Sequence, residues 1–438
     1  IGLTGLNASG EAYRKAGHDI LPKRGTKAQL SVPGAVAGWM IALEMARAFG
    51  GKIPLADLLA PAITSAREGF TLHVSAPADA KELADEPGFA ETFLDNGKWP
   101  EAGTQRHATK LADTLEQLAH AGLGDFYRGD VGREIAYDLE RMRAPLTRAD
   151  FEKFEARVRK PLVWRQGLQT MFAASSPTLG VGHLVAPALQ MRLETSWRHE
   201  DAMLHALLEA GKTALRSGSA FALDPSCIDI KPESAFEPKT LEAQATQIAR
   251  DRAKPLSFTP DIPQALSIAA SDDKGYVVIA TFSMGDAYGA GYVLNRTGLL
   301  LNNAGRFFSL DPRAPHTFAP KRKVPFTPSP LMAVHDEGRI LALGSGSIDV
   351  DAQILARITA GQGLAEALEA PRLRIGHEVH VRFEDRFDPS SLRGLEKRGH
   401  ALTASTQNFG TACALQRHRN GSIEAAADPH SAGRVEGF

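Results

Sequence analysis

The stretch Asp286-Ala-Tyr-Gly-Ala-Gly-Tyr-Val-Leu-Asn-Arg-Thr-Gly-Leu-Leu-Leu-Asn-Asn-Ala-Gly-Arg-Phe-Phe-Ser309 decides how this chain is read. Its glycines, Tyr288-Gly-Ala-Gly291 above all, permit a tight backbone path. Immediately upstream the sequence has strand character. Leu266 to Ser271, a turn at Asp272-Asp-Lys-Gly275, and Tyr276 to Phe282 predict a hairpin. Its second arm is apolar on both faces, as expected of a strand buried between layers. Downstream, Leu331 to Val334 turns at Asp336-Glu-Gly338 into Arg339 to Leu343. The same pattern recurs in Thr411 to Arg417 and Ile423 to Ala426 around Asn420-Gly421. Helices are predicted between these hairpins at about Asp349 to Thr359 and Leu364 to Ala370. Strand pairs interleaved with helices suit two packed sheets covered by helical layers, an α+β arrangement.

The first half of the chain has helical period instead. Pro33 suits a first helical turn, Val36, Trp39, Met40 and Leu43 form an apolar stripe, and Gly50-Gly51 supplies the stop. A second helix places Leu55, Leu58, Leu59, Ala62 and Ala66 on its buried face, with a kink expected at Pro61 and an end at Gly69. Amphipathic segments follow at about His107 to Ala121 and Asp201 to Leu215. Between Gly218 and Pro263 six prolines punctuate the chain, predicting a flexible stretch with one helix from Leu241 to Arg252.

Composition narrows the function classes. With 438 residues, 43% hydrophobic and 23% charged, the chain can bury a large core. Its formal net charge of -1 gives no field favouring nucleic acid or an anionic membrane, and Lys321-Arg-Lys323 fits a solvated loop. No apolar run approaches the ~20 residues that span a bilayer. The two cysteines, Cys227 and Cys413, match neither a disulfide framework nor a zinc spacing, and buried inert thiols are expected. No cofactor or metal is called for. Gly376-His-Glu-Val-His380 would place its histidines on opposite faces of a strand. Ser175-Ser-Pro-Thr-Leu-Gly-Val-Gly182 lacks the lysine of a phosphate-binding loop. Asp428-Pro-His430 is explained by a C-terminal turn.

An ordered succession of motifs resembles the gamma-glutamyltransferase family. It runs through Leu30-Ser-Val-Pro-Gly-Ala-Val-Ala-Gly-Trp39, Pro54 to Ala62 with Arg67-Glu-Gly-Phe70, Asp125-Phe-Tyr-Arg-Gly129, and Leu146-Thr-Arg-Ala-Asp150. The 286–309 stretch, Ala319 to Pro325 with Ser329-Pro330, Ala365 to Arg372, and Ala427-Asp-Pro-His430 continue it in order. The resemblance implies the four-layer αββα sandwich of N-terminal-nucleophile hydrolases. It divides the chain into a large-subunit-like part (1–217), a processing segment (218–263) and a small-subunit-like part (264–438), intertwined in one domain. It also implies family sequence ahead of Ile1, which leaves a leader, and hence the compartment, open.

In that family a threonine freed by self-cleavage is the nucleophile and its own amine the base. The resemblance places that threonine at Pro263 or Gln264, and neither can attack. The nearest hydroxyls are Thr259 and Ser267. At ~3.3 Å rise per strand residue each falls about 10 Å or more from the expected place, beyond catalytic hydrogen-bond reach. A loop hydroxyl at Thr259 and a backbone-bonded core hydroxyl at Ser267 are the plainer readings.

The remaining substrate positions differ as well. The family's carboxylate-clamping arginine falls near Asn7, and its ammonium-binding aspartate near Phe307. An asparagine beside the nucleophile becomes Gly285, and a serine pair becomes Phe326-Thr327. Without the clamp, a free gamma-glutamyl group forfeits a charge-assisted pairing of ~1.5–3 kcal/mol. Gly344, Ser345, Gly346 and Ser347 end a strand ahead of a helix, so they suit either an oxyanion site or a plain capped turn. With Thr327, Asn303 and Asn7 they make up the candidate substrate set. A small amide or amino-acid-like molecule is the expected ligand, and oligomerisation stays open. Three readings follow: a silent homologue, an amidohydrolase or acyltransferase with altered substrate, or a structural subunit completed by another chain.

Overall fold

The computed structural model describes residues 1–28, 30–72, 80–193, 199–260, 264–405, 409–429, 431 and 433–437, and of Gln264 the backbone alone. Contacts group the chain into two compact units, each assembled from two segments. Unit 1 comprises Ile1–Val158 and Met284–Pro325; unit 2 comprises Arg159–Ser283 and Phe326–Phe438.

Unit 1 is largely helical. Its core joins Val36, Leu118, Phe126, Ile135, Leu139 and Phe151 to Tyr292 and Leu294 of the 286–309 stretch. The Ala35–Ala48 helix begins behind Gly34, so Pro33 lies outside its first turn. Gly34 has no capping side chain. The Tyr127 hydroxyl takes over that role, accepting from the Ala37 N–H at 3.0 Å and donating to the Pro33 carbonyl at 2.8 Å. Trp39 and Leu58, both expected in apolar stripes, are exposed, because the buried stripes narrow to Val36 with Met40 and Leu43, and to Leu55 with Leu59 and Ala66. The Leu55–Glu68 helix runs on through Pro61 and ends at Gly69, where φ is 120°. The glycines of the 286–309 stretch do what a tight path requires. Gly289 and Gly291 have φ of 53° and 86°, and any Cβ on Gly289 would strike the Leu301 carbonyl.

Unit 2 is built on a six-stranded antiparallel sheet. Its order is Ile423–Ala427, Cys413–Arg417, Ile340–Gly344, Leu331–His335, Gln169–Ala173, Leu162–Gln166. Both downstream hairpins predicted from the sequence are in it. Alternation along Ile340–Gly344 points Leu341 and Leu343 into the core shared with the Gly180–Leu193 and Glu200–Ser219 helices. Gly344 faces the other way, toward the hairpin of Gln264–Ser271 and Val277–Gly285. This hairpin matches the one expected, but its outer face is open. Leu266, Ile268 and Val278 are 58%, 53% and 60% exposed, so among the described residues only its inner face is covered.

Two other expectations change. The segment from Gly218 is packed rather than loose, with Ala235, Phe236, Leu241, Ile248 and Leu256 buried in the main core. Pro225, Pro232 and Pro238 start short helices there instead of breaking one, and the helix is Pro238–Thr246. His377 lies in a turn ahead of the His380–Glu384 strand; both histidines are exposed.

The Gly180–Leu193 helix is apolar nearly all round because it is enclosed nearly all round. At Gly182 an added Cβ would lie 2.6 Å from the Ala214 carbonyl and against Ile348 Cδ1. Gly182→Ala is therefore expected to lower stability by about 1–3 kcal/mol, measured as a lower midpoint in urea at unchanged slope; an unmoved midpoint would refute this packing.

Candidate active site

The turn Gly344-Ser345-Gly346-Ser347 joins the end of a central strand to the Ile348–Thr359 helix. It presses on the head of the hairpin. A Cβ on Gly344 would lie 2.7 Å from Ser267 Oγ, and one on Gly346 would lie 2.6 Å from the Ala265 Cβ and 3.9 Å from Pro328. Gly346 also has φ of 76°. Thr411 Oγ1 donates to the Ala265 carbonyl at 2.7 Å and fixes the strand from its other side. Thus Gly344 and Gly346 seat against Ser267 and Ala265.

The hydroxyls of this cluster are engaged. Ser267 is buried and shares a 3.0 Å hydrogen bond with Thr281 Oγ1. Ser345 Oγ donates to the Ser347 carbonyl and accepts from the Ser347 N–H, both at 3.2 Å. Ser347 Oγ donates to Asp349, whose carboxylate also accepts from Val350 N–H at 3.0 Å and Ile375 N–H at 3.0 Å. Much of the turn's polarity therefore serves the turn itself.

Thr259 is exposed in the loop before the hairpin. Pro263 lies outside the described residues; Gln264 is the first residue of the strand. Thr327 is half-buried, and its carbonyl accepts from Leu179 N–H at 3.4 Å. Asn303 and Asn7 belong to unit 1. Asn303 is fully buried with both ends of its amide occupied. It accepts from Asp286 N–H at 2.9 Å and donates to the Lys23 carbonyl and the Asp286 carboxylate at 2.8 and 2.9 Å. Gly285 has φ of 94°, and any side chain there would meet Asn303 Oδ1. Asn7 sits exposed in a turn. Beside Phe307, Arg306 pairs with Asp286 at 2.7 Å and lies 4.2 Å over the Phe307 ring, so this corner holds a largely buried ion pair.

Sequence reasoning gave no site role to two groups near the turn, Cys413 and the His183–Asp351 pair. Cys413 pairs directly with Gly344 across the sheet, a contact that depends on strand register. Burial, assisted by the Asp351 charge, pushes its thiol up to about 11, so it is protonated at neutral pH. His183 Nδ1 and Asp351 Oδ2 are 3.2 Å apart and almost fully buried; Asp351 N–H is bonded to the Ser347 carbonyl at 3.0 Å. Asp428, assigned from the sequence to a C-terminal turn, is fully buried and bound by Arg372 at 2.5 Å and Ala412 N–H at 3.0 Å. His430 lies outside the described residues.

The architecture is that of N-terminal-nucleophile hydrolases. It matches the crystal structure of cephalosporin acylase from Bacillus halodurans with a TM-score of 0.87 at 24% identity, covering all of this chain and 85% of that one. The chain belongs to the gamma-glutamyltranspeptidase family, whose model matches residues 2–438. It is 32% identical to the oxamate amidohydrolase proenzyme of Klebsiella pneumoniae over its whole length and 86% of that protein. It is 27% identical to the acylase ACY 1 proenzyme of Pseudomonas sp. strain V22, over 92% of this chain and 74% of that one. Among the described residues no helix is long and apolar enough to cross a membrane.

Two measurements probe this geometry. In a double-mutant cycle, Ser267→Ala and Thr281→Val should each cost about 1 kcal/mol and couple non-additively; full additivity would mean the two hydroxyls do not interact. In a Cys227→Ser background, iodoacetamide should label Cys413 about a hundredfold more slowly than a solvent thiol at neutral pH, and equal rates would overturn the burial argument.

Proposed function

We infer that this chain is a catalytically silent member of its family, able to hold a small amide or amino-acid-like ligand but not to cleave it. One observation carries the reading: at Pro263 and Gln264, where the resemblance puts the nucleophile, the sequence supplies no hydroxyl or thiol. The surroundings support it. Ser267 is buried in a hydrogen bond, Thr259 lies exposed in a loop, and Cys413 is held as a thiol. Nothing equivalent to a carboxylate clamp stands at Asn7, and Phe307 offers no carboxylate to a substrate ammonium.

The likeness to an oxamate amidohydrolase favours a second reading, an amidohydrolase or acyltransferase acting on a small amide with Thr259 or Ser267 as nucleophile. Mass spectrometry and turnover separate the two. The silent reading expects a single species of 47.0 kDa after prolonged incubation of the 438-residue chain and no product from oxamate, glutathione or a cephalosporin amide. Two fragments cut between 258 and 264, with turnover abolished by Thr259→Ala or Ser267→Ala, would establish the enzyme instead.

A further inference from the structure

Away from the turn, unit 2 buries a second chemical cluster. His205 and Glu209 lie one turn apart on the Glu200–Ser219 helix, and His400 precedes the Ala401–Ser405 strand. All three are at most 3% exposed, and one ligand atom from each lies within 4.8 Å of the others. His205 Nε2 faces the Ala249 carbonyl at 2.8 Å and so carries its proton there, which turns a bare Nδ1 toward His400 Nε2, also at 2.8 Å. We propose that His205, Glu209 and His400 form a binding site for a zinc-class divalent cation.

The donor set is two imidazole nitrogens and a carboxylate oxygen, a combination zinc accepts with a fourth position left to solvent or another group. Ideal tetrahedral bonds of about 2.0–2.1 Å put ligand atoms roughly 3.4 Å apart, so the two rings need to part by about half an ångström. The supporting contacts are of the orienting kind: the Ala249 carbonyl holds His205, and Lys254 N–H, at 3.2 Å, holds Glu209. His400 Nε2 therefore donates to the bare His205 Nδ1, and the ion would replace that proton, which moves to the unpartnered His400 Nδ1 or leaves the site. Burial keeps both imidazoles below the ordinary histidine range, His400 at about 3, and the neutral ring is the form that ligates.

The competing cation is Lys212, fully buried, which donates to Glu209 Oε1 at 2.7 Å and to the Lys254 carbonyl at 2.8 Å. Arg398 adds positive charge to the same region. The bound ion therefore has to share Glu209 with an ammonium that keeps a second acceptor. This predicts moderate affinity, improved by removing the Lys212 charge.

Zinc titrated calorimetrically into the chelator-treated 438-residue chain is expected to bind with one equivalent. Cobalt in its place should give the intense visible bands of a four-coordinate site. His400→Ala and Glu209→Gln should weaken binding at least a hundredfold with unchanged circular dichroism, and Lys212→Met should tighten it about tenfold. Absence of saturable binding, only weak six-coordinate cobalt bands, or unchanged affinity in folded His400→Ala would overturn the proposal. The cobalt spectrum of the unaltered chain decides the matter should the variants fail to fold.

Discussion

Close backbone approach is the constraint on which unit 2 depends. Gly344 and Gly346 let the strand-to-helix turn seat against Ala265 and Ser267 with no side chain between them. An alanine at either place would push the hairpin off the sheet or force the turn outward, because the opposing atoms are the hairpin's own Ala265 and Ser267 rather than flexible chain ends. The Ile348–Thr359 helix starts from this turn, and its first residues anchor neighbouring strands: Asp349 accepts from Ile375 N–H, and Gln353 bonds Leu373 through both ends of its amide. The hairpin, the six-stranded sheet and the three-stranded sheet are thus positioned through one tight corner.

Much of this was legible before any coordinates. The hairpins announced themselves by period two and by Asp-Gly-type and Asn-Gly turns, and the helix boundaries by glycine stops, because those signals are local. Failures came where local pattern meets tertiary packing. Trp39 fits an apolar stripe by spacing, yet the surface that the helix packs on is too narrow to reach it. Prolines 225, 232 and 238 look like linker punctuation but start helices, a distinction set by Phe236 and Leu241 finding the core. The site was legible only in part. Gly344 to Ser347 read as a strand-to-helix turn, while Cys413 does not show itself, since its placement opposite Gly344 follows from register across 68 intervening positions. His205 and Glu209 show helical i,i+4 spacing, but His400 lies 195 residues away, and no pattern in the sequence joins them.

Buried charge settles which polar residues are available for chemistry. Arg372 is nearly inaccessible and spends its guanidinium on Asp428 and on the Phe409 and Leu368 carbonyls. Removing one partner would strand an unpaired charge at several kcal/mol, so these groups are held by architecture and cannot double as acid or base. The same holds for Asp349, shared among Ser347, Val350 N–H and Ile375 N–H. A carboxylate near a glycine turn suggests catalysis until its acceptors are counted.

A glycine-serine turn of this kind suits an oxyanion, yet its residues need no ligand to account for them. The glycines admit Ala265 and Ser267, and the serines bond each other and Asp349 in a buried setting, where an unpaired group costs about 1–3 kcal/mol. Asn7 is under no such constraint. It is exposed in a turn, so a substitution there would leave the core undisturbed. Phe307 has acquired a different partner, the Arg306 guanidinium over its ring. The glycines and serines of the turn are thus fixed by packing and hydrogen bonding in this structure, whereas the exposed Asn7 is not.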